Sequence, residues 1–287
     1  MIVCEPTSGL TSRMYVITDA YEMAARYGQK LIIIWRKTSD CDCRYDQVFD
    51  DSQFDDVEHK VYECNQFDFK FSDLRNDYNI RMLYKAVREL FIRTGFTIKH
   101  SFVYKYYRSR CSVYKNSYED NNKLFDERRA EGRDCFFEAY NCITGKGNIR
   151  NIKFRQKFLD ESHSVLNNAQ DHCVGVHIRR TDHGLAKAGS TTDKFIIRMN
   201  EEISEDPDVQ FYLATDDWDE QKKMQELYGD RILTQQGKIL ERCSSVGMHS
   251  SIIDVLCLSM TKYILGSNSS IFSKFAAEYG GIDLYIV

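Results

Sequence analysis

Cys173-Val174-Gly175-Val176-His177-Ile178, followed at once by Arg179-Arg180-Thr181-Asp182, decides the fold. The first six residues form a short, nearly unbroken apolar run, the pattern of a strand covered on both faces. The polar burst after it is what a strand end carries where it meets a ligand crevice. Downstream the same alternation repeats. Helical spacing is expected at residues 195–203, a strand at 209–214, a helix at 221–228 and a short strand at Ile232-Leu233. A helix at 248–260, a strand at 263–265, a helix at 270–279 and a closing strand at 284–287 complete the series. Strand and helix in turn predict a parallel, doubly wound α/β sheet.

Upstream the pattern begins in the same way. Residues 1–4 are a short apolar start, and Gly9-Leu10-Thr11-Ser12-Arg13 is a polar turn. Tyr15, Ile17, Ala20, Met23, Ala24 and Tyr27 then fall near helical spacing, and Gly28 is placed to stop that helix. Residues 30–35, rich in isoleucine, read as a buried strand, which makes one βαβ unit.

The middle carries weaker patterning. Residues 40–58 are acid-rich and read as surface loop with short helical turns, and residues 82–92 as an amphipathic helix. Residues 99–115 mix basic and aromatic side chains, a surface suited to a sugar ring, a lipid diphosphate or a membrane face. Gly145-Lys146-Gly147-Asn148 marks a turn and residues 154–169 a helix. The boundary is expected between residues 148 and 171, giving domains 1–150 and 151–287.

Composition bounds the function classes. The chain has 287 residues, 43% hydrophobic and 13% aromatic, enough to build packed cores. A net charge of −4 argues against a nucleic-acid partner held by bulk positive charge. No basic segment followed by an apolar core opens the chain, and no run approaches the roughly 20 residues that span a bilayer. The expected location is therefore cytoplasmic, with peripheral membrane contact allowed by the basic aromatic stretch. The 10 cysteines read as mostly reduced and buried. Cys41 and Cys43 form a lone C-x-C with Cys64 downstream, a weak metal signature.

Function is sought at the strand ends. After the strand at 173–178 come Arg179, Arg180, Thr181, Asp182 and His183. After 209–214 come Thr215, Asp216 and Asp217, and after 263–265 come Gly266, Ser267, Asn268, Ser269 and Ser270, opening a helix. Arginine forks and helix N-termini both bind phosphate, and carboxylates take N–H donors of a purine or ribose hydroxyls. The set points to a nucleoside diphosphate site. No G-x-x-x-x-G-K-[ST] or G-x-G-x-x-G sequence is present. Asp217 and Asp219 form a D-x-D that could clamp a metal diphosphate, or Asp219 could serve the dipole of the next helix.

His177-Ile178-Arg179-Arg180-Thr181-Asp182 resembles the H-x-R-R-x-D motif of the α1,2-, α1,6- and protein O-fucosyltransferase superfamily. Residues 211–217, and residues 253–259 leading to 266–273, match two further segments in the right order. Residues 9–13 are similar to that superfamily's G-x-G-N-[RQ] loop, with Thr11 and Ser12 in place of glycine and asparagine. The α1,6 branch and the nodulation fucosyltransferases are the most similar in character. The resemblance implies a GT-B fold, two Rossmann-like domains facing a cleft, with GDP-fucose between an acceptor-side N-terminal domain and a nucleotide-sugar-binding C-terminal domain.

Carried onto this chain, the resemblance makes Arg179 the grip on the β-phosphate, and His177 and Asp254 the contacts to guanine. Asp216 and Asp217 lie near the nucleotide, Ser267, Asn268, Ser269 and Ser270 hold the pyrophosphate, and Arg180, Gly9 and Arg13 belong to the donor site. The family inverts the anomeric centre without a metal or cofactor, so a base must accept the acceptor's proton. The α1,6 branch has a glutamate where Lys187 stands here, which leaves Asp182, His183, Glu5 and Asp19 as candidates. Asp182 has an alternative structural role, pairing with an arginine. The expected activity is fucosyl transfer to an oligosaccharide or lipid-linked glycan in polysaccharide biosynthesis. The rivals are another GDP- or UDP-sugar donor, and a nucleotide- or glycan-binding relative without catalysis.

Overall fold

The computed structural model describes residues 1–64, 117–132, 134–166, 169, 172–181, 189–241 and 243–287. The helix expected at 82–92 and the basic aromatic stretch at 99–115 lie outside these residues. The chain divides into two compact units: residues 1–48 with 52–151, and residues 49–51 with 152–287.

The first unit contains strands β1 (Ile2–Pro6), β2 (Leu31–Arg36), β3 (His59–Cys64) and β4 (Cys135–Ala139), in the order β3-β2-β1-β4. These four strands pair in parallel; Ile2 opposes Leu31 on one side and Cys135 on the other. β1 and β2 are buried at every position, as an IVCEP and LIIIWR sequence requires. Helix α1 (Leu10–Tyr27) joins them and ends on Gly28, whose φ of 57° is the left-handed conformation a glycine cap adopts. A short helix, α2 (Tyr45–Val48), interrupts the acid-rich segment. That segment is not simply surface loop, because Cys41, Cys43, Phe49 and Phe54 within it are buried. Helix α3 (Tyr118–Ala130) precedes β4.

The second unit opens with helix α4 (Gln156–Leu166) and strand β5 (Cys173–Ile178). Helix α5 (Thr192–Glu205), strand β6 (Gln210–Thr215), helix α6 (Trp218–Tyr228) and strand β7 (Ile232–Leu233) follow. Helix α7 (Ser245–Ser259), strand β8 (Tyr263–Gly266), helix α8 (Ile271–Gly280) and strand β9 (Asp283–Ile286) close the chain. The sheet order is β7-β6-β5-β8-β9, parallel throughout. The order reverses at β5, so the crevice beyond its C-terminal end is the topological switch point. One face of the sheet buries Val174, Val176, Ile178, Phe211, Leu213 and Leu265 against Phe195, Met199 and Met224. Truncating one of these side chains to alanine would cost about 2–5 kcal/mol. Among the described residues, no helix is long and apolar enough to cross a membrane.

Candidate functional site

Strand β5 delivers His177 and Arg179 to the switch point, and the backbone around them is stitched to both neighbouring strands. The Arg179 N–H donates to Ser267 Oγ at 2.9 Å, and the Ser267 N–H donates to the His177 carbonyl at 3.1 Å. On the other side the Arg180 N–H donates to Asp216 Oδ1 at 2.7 Å. Asp216 Oδ2 pairs with the Arg179 guanidinium at 2.9 Å and accepts from the Thr181 hydroxyl at 2.5 Å. Burial by itself would raise the Asp216 carboxyl, but Arg179, Thr181 and the two backbone N–H groups outweigh it and hold it below the ordinary carboxylate range. Arg179 is thus aimed by a permanently ionised partner.

His177 is buried, and burial depresses its pKa to about 3, with Arg179 and Lys238 pushing the same way against Asp216. It is neutral at physiological pH. Its ring packs on Phe272 at 5.0 Å between centroids, and its Nδ1 is buried without a hydrogen-bond partner. A buried orphan nitrogen costs about 1–3 kcal/mol, which a ligand hydrogen bond would recover.

Several expected ligand contacts prove to be committed elsewhere. Arg180 spends all five donors internally: on Glu220, Thr192 Oγ1 and the carbonyls of Arg179 and Ser190. It fixes the 190–192 turn to α6. Ser267 is fully buried and spends its hydroxyl between the His177 carbonyl and the Arg179 N–H. Asp217 caps α6, accepting from the Asp219 and Glu220 N–H groups at 2.9 and 3.0 Å. That is the ordinary work of an N-cap. Asn268 donates its N–H to Ser190 Oγ, and its side chain accepts from Ser269. Ser269, at φ 57°, and Ser270 bring the chain into α8, whose start has no side-chain cap. Asn268, Ser269 and Ser270 lie at the start of that helix, and none of the three is buried.

Asp254 on α7 sits in a buried polar network. Its Oδ2 pairs with Lys238 at 2.5 Å, and its Oδ1 accepts from Tyr212 at 2.7 Å and Gln235 at 2.5 Å. Lys238 also donates to the Thr215 carbonyl at the end of β6, at 3.0 Å. Asp254 thus anchors a buried lysine and ties α7 to β6 and to the 235–238 segment. Lys238 and Gln235 were invisible in sequence because the 234–244 loop has no periodicity. The signal was a lysine inside a segment that returns to the sheet end.

In the first unit, three of the candidate residues are held in internal contacts. Arg13 is completely buried. Its Nε donates to the Ser8 carbonyl, its other nitrogens to the Arg36 carbonyl and Thr38 Oγ1, and its face covers Trp35 at 5.1 Å. It is a structural rivet between β1, α1 and β2. Glu5 is buried against Arg36 at 2.8 Å. Asp19 accepts from the N–H groups of Ile143, Thr144, Gly145, Lys146 and Gly147 and from the Thr144 hydroxyl. The supposed simple turn at 145–148 is part of a backbone nest closed around this carboxylate. Any Cβ at Gly147 would sit 2.5 Å from the Asp19 backbone nitrogen, so only glycine fits there. Both carboxylates are buried, Glu5 in its ion pair with Arg36 and Asp19 in the nest. Gly9 precedes α1 in extended conformation, and a Cβ there would make only an ordinary 3.9 Å contact with the Asp40 carbonyl. Asp182 and His183 lie outside the described residues. Among those described, no group of three His, Cys, Asp or Glu side chains could hold a metal ion.

No protein-family model matches the sequence, and no curated protein matches it. Solved structures do match in fold. The fucosyltransferase NodZ from Bradyrhizobium aligns with a TM-score of 0.59 at 16% identity, over 96% of this chain and 92% of that one. A NodZ alpha-1,6-fucosyltransferase co-crystallised with GDP aligns at 0.56 and 18% identity, over 96% and 91%. POFUT1 in complex with GDP-fucose aligns at 0.56 and 9% identity, over 99% and 96%. Its two parallel α/β sheets and their near-complete overlap with these structures give this chain the GT-B fold of the fucosyltransferases.

Proposed function

We propose that this protein is an inverting fucosyltransferase that moves L-fucose from GDP-fucose to a hydroxyl of a glycan acceptor, without a metal. The observation that carries this reading is the strand-end cluster of the second unit. Arg179 is held by Asp216 beside a neutral His177, and its backbone is tied to the turn that opens α8. The similarity in fold to fucosyltransferases crystallised with GDP and with GDP-fucose supports the choice of donor.

The chemistry follows from where charge develops. As the glycosidic bond to the diphosphate breaks, GDP gains negative charge. A guanidinium already oriented by a carboxylate can stabilise that charge without reorganising, which is the main source of such catalysis. Ser269, Ser270 and the uncapped N–H groups of α8 would take the remaining phosphate oxygens. His177, neutral with Nδ1 unpartnered, would give or take one hydrogen bond with the nucleobase. Inversion needs a base on the acceptor side, and Asp182 and His183 are the residues we assign to that search, with the first domain, 1–150, presenting the acceptor.

The test is turnover of GDP-fucose by the full chain after exhaustive EDTA treatment, read as GDP release over a panel of oligosaccharide acceptors. Release with EDTA present is expected. Thermal shift with GDP, UDP and ADP accompanies it, and GDP should raise the melting temperature most. A larger shift with UDP would overturn the donor. Activity that disappears with EDTA and returns with Mn²⁺ would overturn the metal-free mechanism.

A further inference from the structure

Beyond the strand-end site, the first unit places two thiols in contact where the chain leaves β2. Cys41 Sγ and Cys43 Sγ are 3.6 Å apart, with both residues buried at 0% and 3% exposure. They sit on a closed turn. Thr38 and Cys41 exchange backbone hydrogen bonds at 3.1 Å each, and Trp35 Nε1 donates to the Cys43 carbonyl at 2.9 Å. Two residues apart, their Cα atoms span at most about 7 Å, which overlaps the range of roughly 4.4–6.8 Å that a disulfide needs.

The turn also faces a buried cation. Arg13 is completely buried, and its partners among the described residues are two carbonyls, a hydroxyl and an indole face, all neutral. Buried charges are normally balanced by an opposite charge. The cysteine that can become anionic there is Cys41. The hydrogen bond from Cys43 lowers its pKa, and Arg13 adds to this, against burial and the nearby Asp40. Cys43 is pushed the other way by its bond to Cys41 and by burial, with Asp42 adding to the rise. Once a local opening of this buried turn exposes the pair, Cys41 is the sulfur that attacks and Cys43 the one that stays protonated until needed.

We propose that Cys41 and Cys43 are a redox-active dithiol, converted reversibly to a disulfide within the turn by low-molecular-weight disulfides of the glutathione type. The Cys41 thiolate attacks one sulfur of the small disulfide, and one small thiolate leaves. Cys43 loses its proton to solvent and attacks Cys41 in the mixed disulfide, and the second small thiolate leaves. The protein loses two protons and two electrons, and the small disulfide is reduced to two thiols. A metal is the weaker occupant, because no third ligand completes a site among the described residues. The inference does not depend on the activity proposed above.

Peptide mapping tests it directly. Lys37 and Arg44 bracket the pair, so trypsin releases residues 38–44 as one peptide with these two cysteines alone. The native full chain is equilibrated in glutathione buffers of increasing oxidation, quenched with acid, denatured and alkylated. The doubly alkylated peptide should give way to the form lacking two hydrogens, with the ratio changing about tenfold per 30 mV. Cys43→Ser should trap glutathione on Cys41, and Cys41→Ser should leave Cys43 unmodified. A peptide that stays fully alkylated in the most oxidising buffer overturns the proposal. Equal trapping in the two variants overturns the assignment of Cys41 as the attacking sulfur. Should either variant fail to fold, the wild-type peptide alone decides.

Discussion

Replacing Asp19 by asparagine should unfold the first unit far more easily, although the change alters one atom. Three of the six hydrogen bonds to Asp19 fall on Oδ1, from Thr144 Oγ1, Lys146 N and Gly147 N, at 2.9, 3.1 and 2.7 Å. The other three fall on Oδ2, from Ile143, Thr144 and Gly145 N–H groups. Whichever oxygen becomes the amide, donors then point at a donor. Hydrogen bonds to a charged group contribute about 1.5–3 kcal/mol each, and buried donors left without acceptors cost about 1–3 kcal/mol. These losses are not additive, and the loop can relax, so the expected destabilisation is about 3 kcal/mol or more. Urea unfolding followed by tryptophan fluorescence measures it. The chain has 2 tryptophans, Trp35 buried in the first unit and Trp218 exposed at 51% in the second, so a Trp218→Phe background isolates the first unit. The midpoint should fall with m unchanged. A loss under about 1 kcal/mol would refute the account of the nest, because that is the scale of a single neutral hydrogen bond.

The site itself makes further predictions. Arg179→Lys keeps the charge but loses the planar fork, and should slow GDP release by roughly 30-fold, about 2 kcal/mol; near wild-type turnover in a folded variant would remove Arg179 from the mechanism. His177 is neutral when folded, with its pKa lowered to about 3. Its contribution is therefore complete above its unfolded value near 6.5 and declines as pH falls from there toward 3, by about 1.4 kcal/mol per pH unit. His177→Gln should flatten that slope between pH 4 and 6, and an unchanged slope would contradict the burial argument. Asp254→Asn strands the buried Lys238 and should cost about 3–5 kcal/mol, with Lys238→Met in the same chain restoring part of it. A stable single variant, read by urea unfolding, would mean that the lysine does not need its anchor.

The sheet architecture was legible in the sequence because a strand covered on both faces must be apolar throughout. The runs at 173–178 and 31–36 declare themselves, and the helices between them carry amphipathic faces. The crevice residues followed from the same logic, since they are the polar residues just after those runs. β3, β4 and α3 were not legible. β3 mixes charged and apolar residues without alternation as HKVYEC, β4 is five residues long, and α3 buries only Asn121 and Phe125 among thirteen residues. Their identity comes from neighbours: β4 exists because β1 offers it an edge, with Cys4 opposing Phe137.

Which polar groups remain for a ligand was decided by tertiary structure alone. Arg13 and Arg179 both follow a strand in the sequence, yet one is a buried rivet under Trp35 and the other is held at the strand ends by Asp216. Asp19 and Asp254 look as free as any carboxylate until the 143–147 loop and Lys238 are brought to them from 124 and 16 residues away. The reason is physical. Hydrophobic periodicity is a local property that a short window contains, whereas a hydrogen bond partner can come from any distance along the chain, and only the folded chain determines which donors are spent.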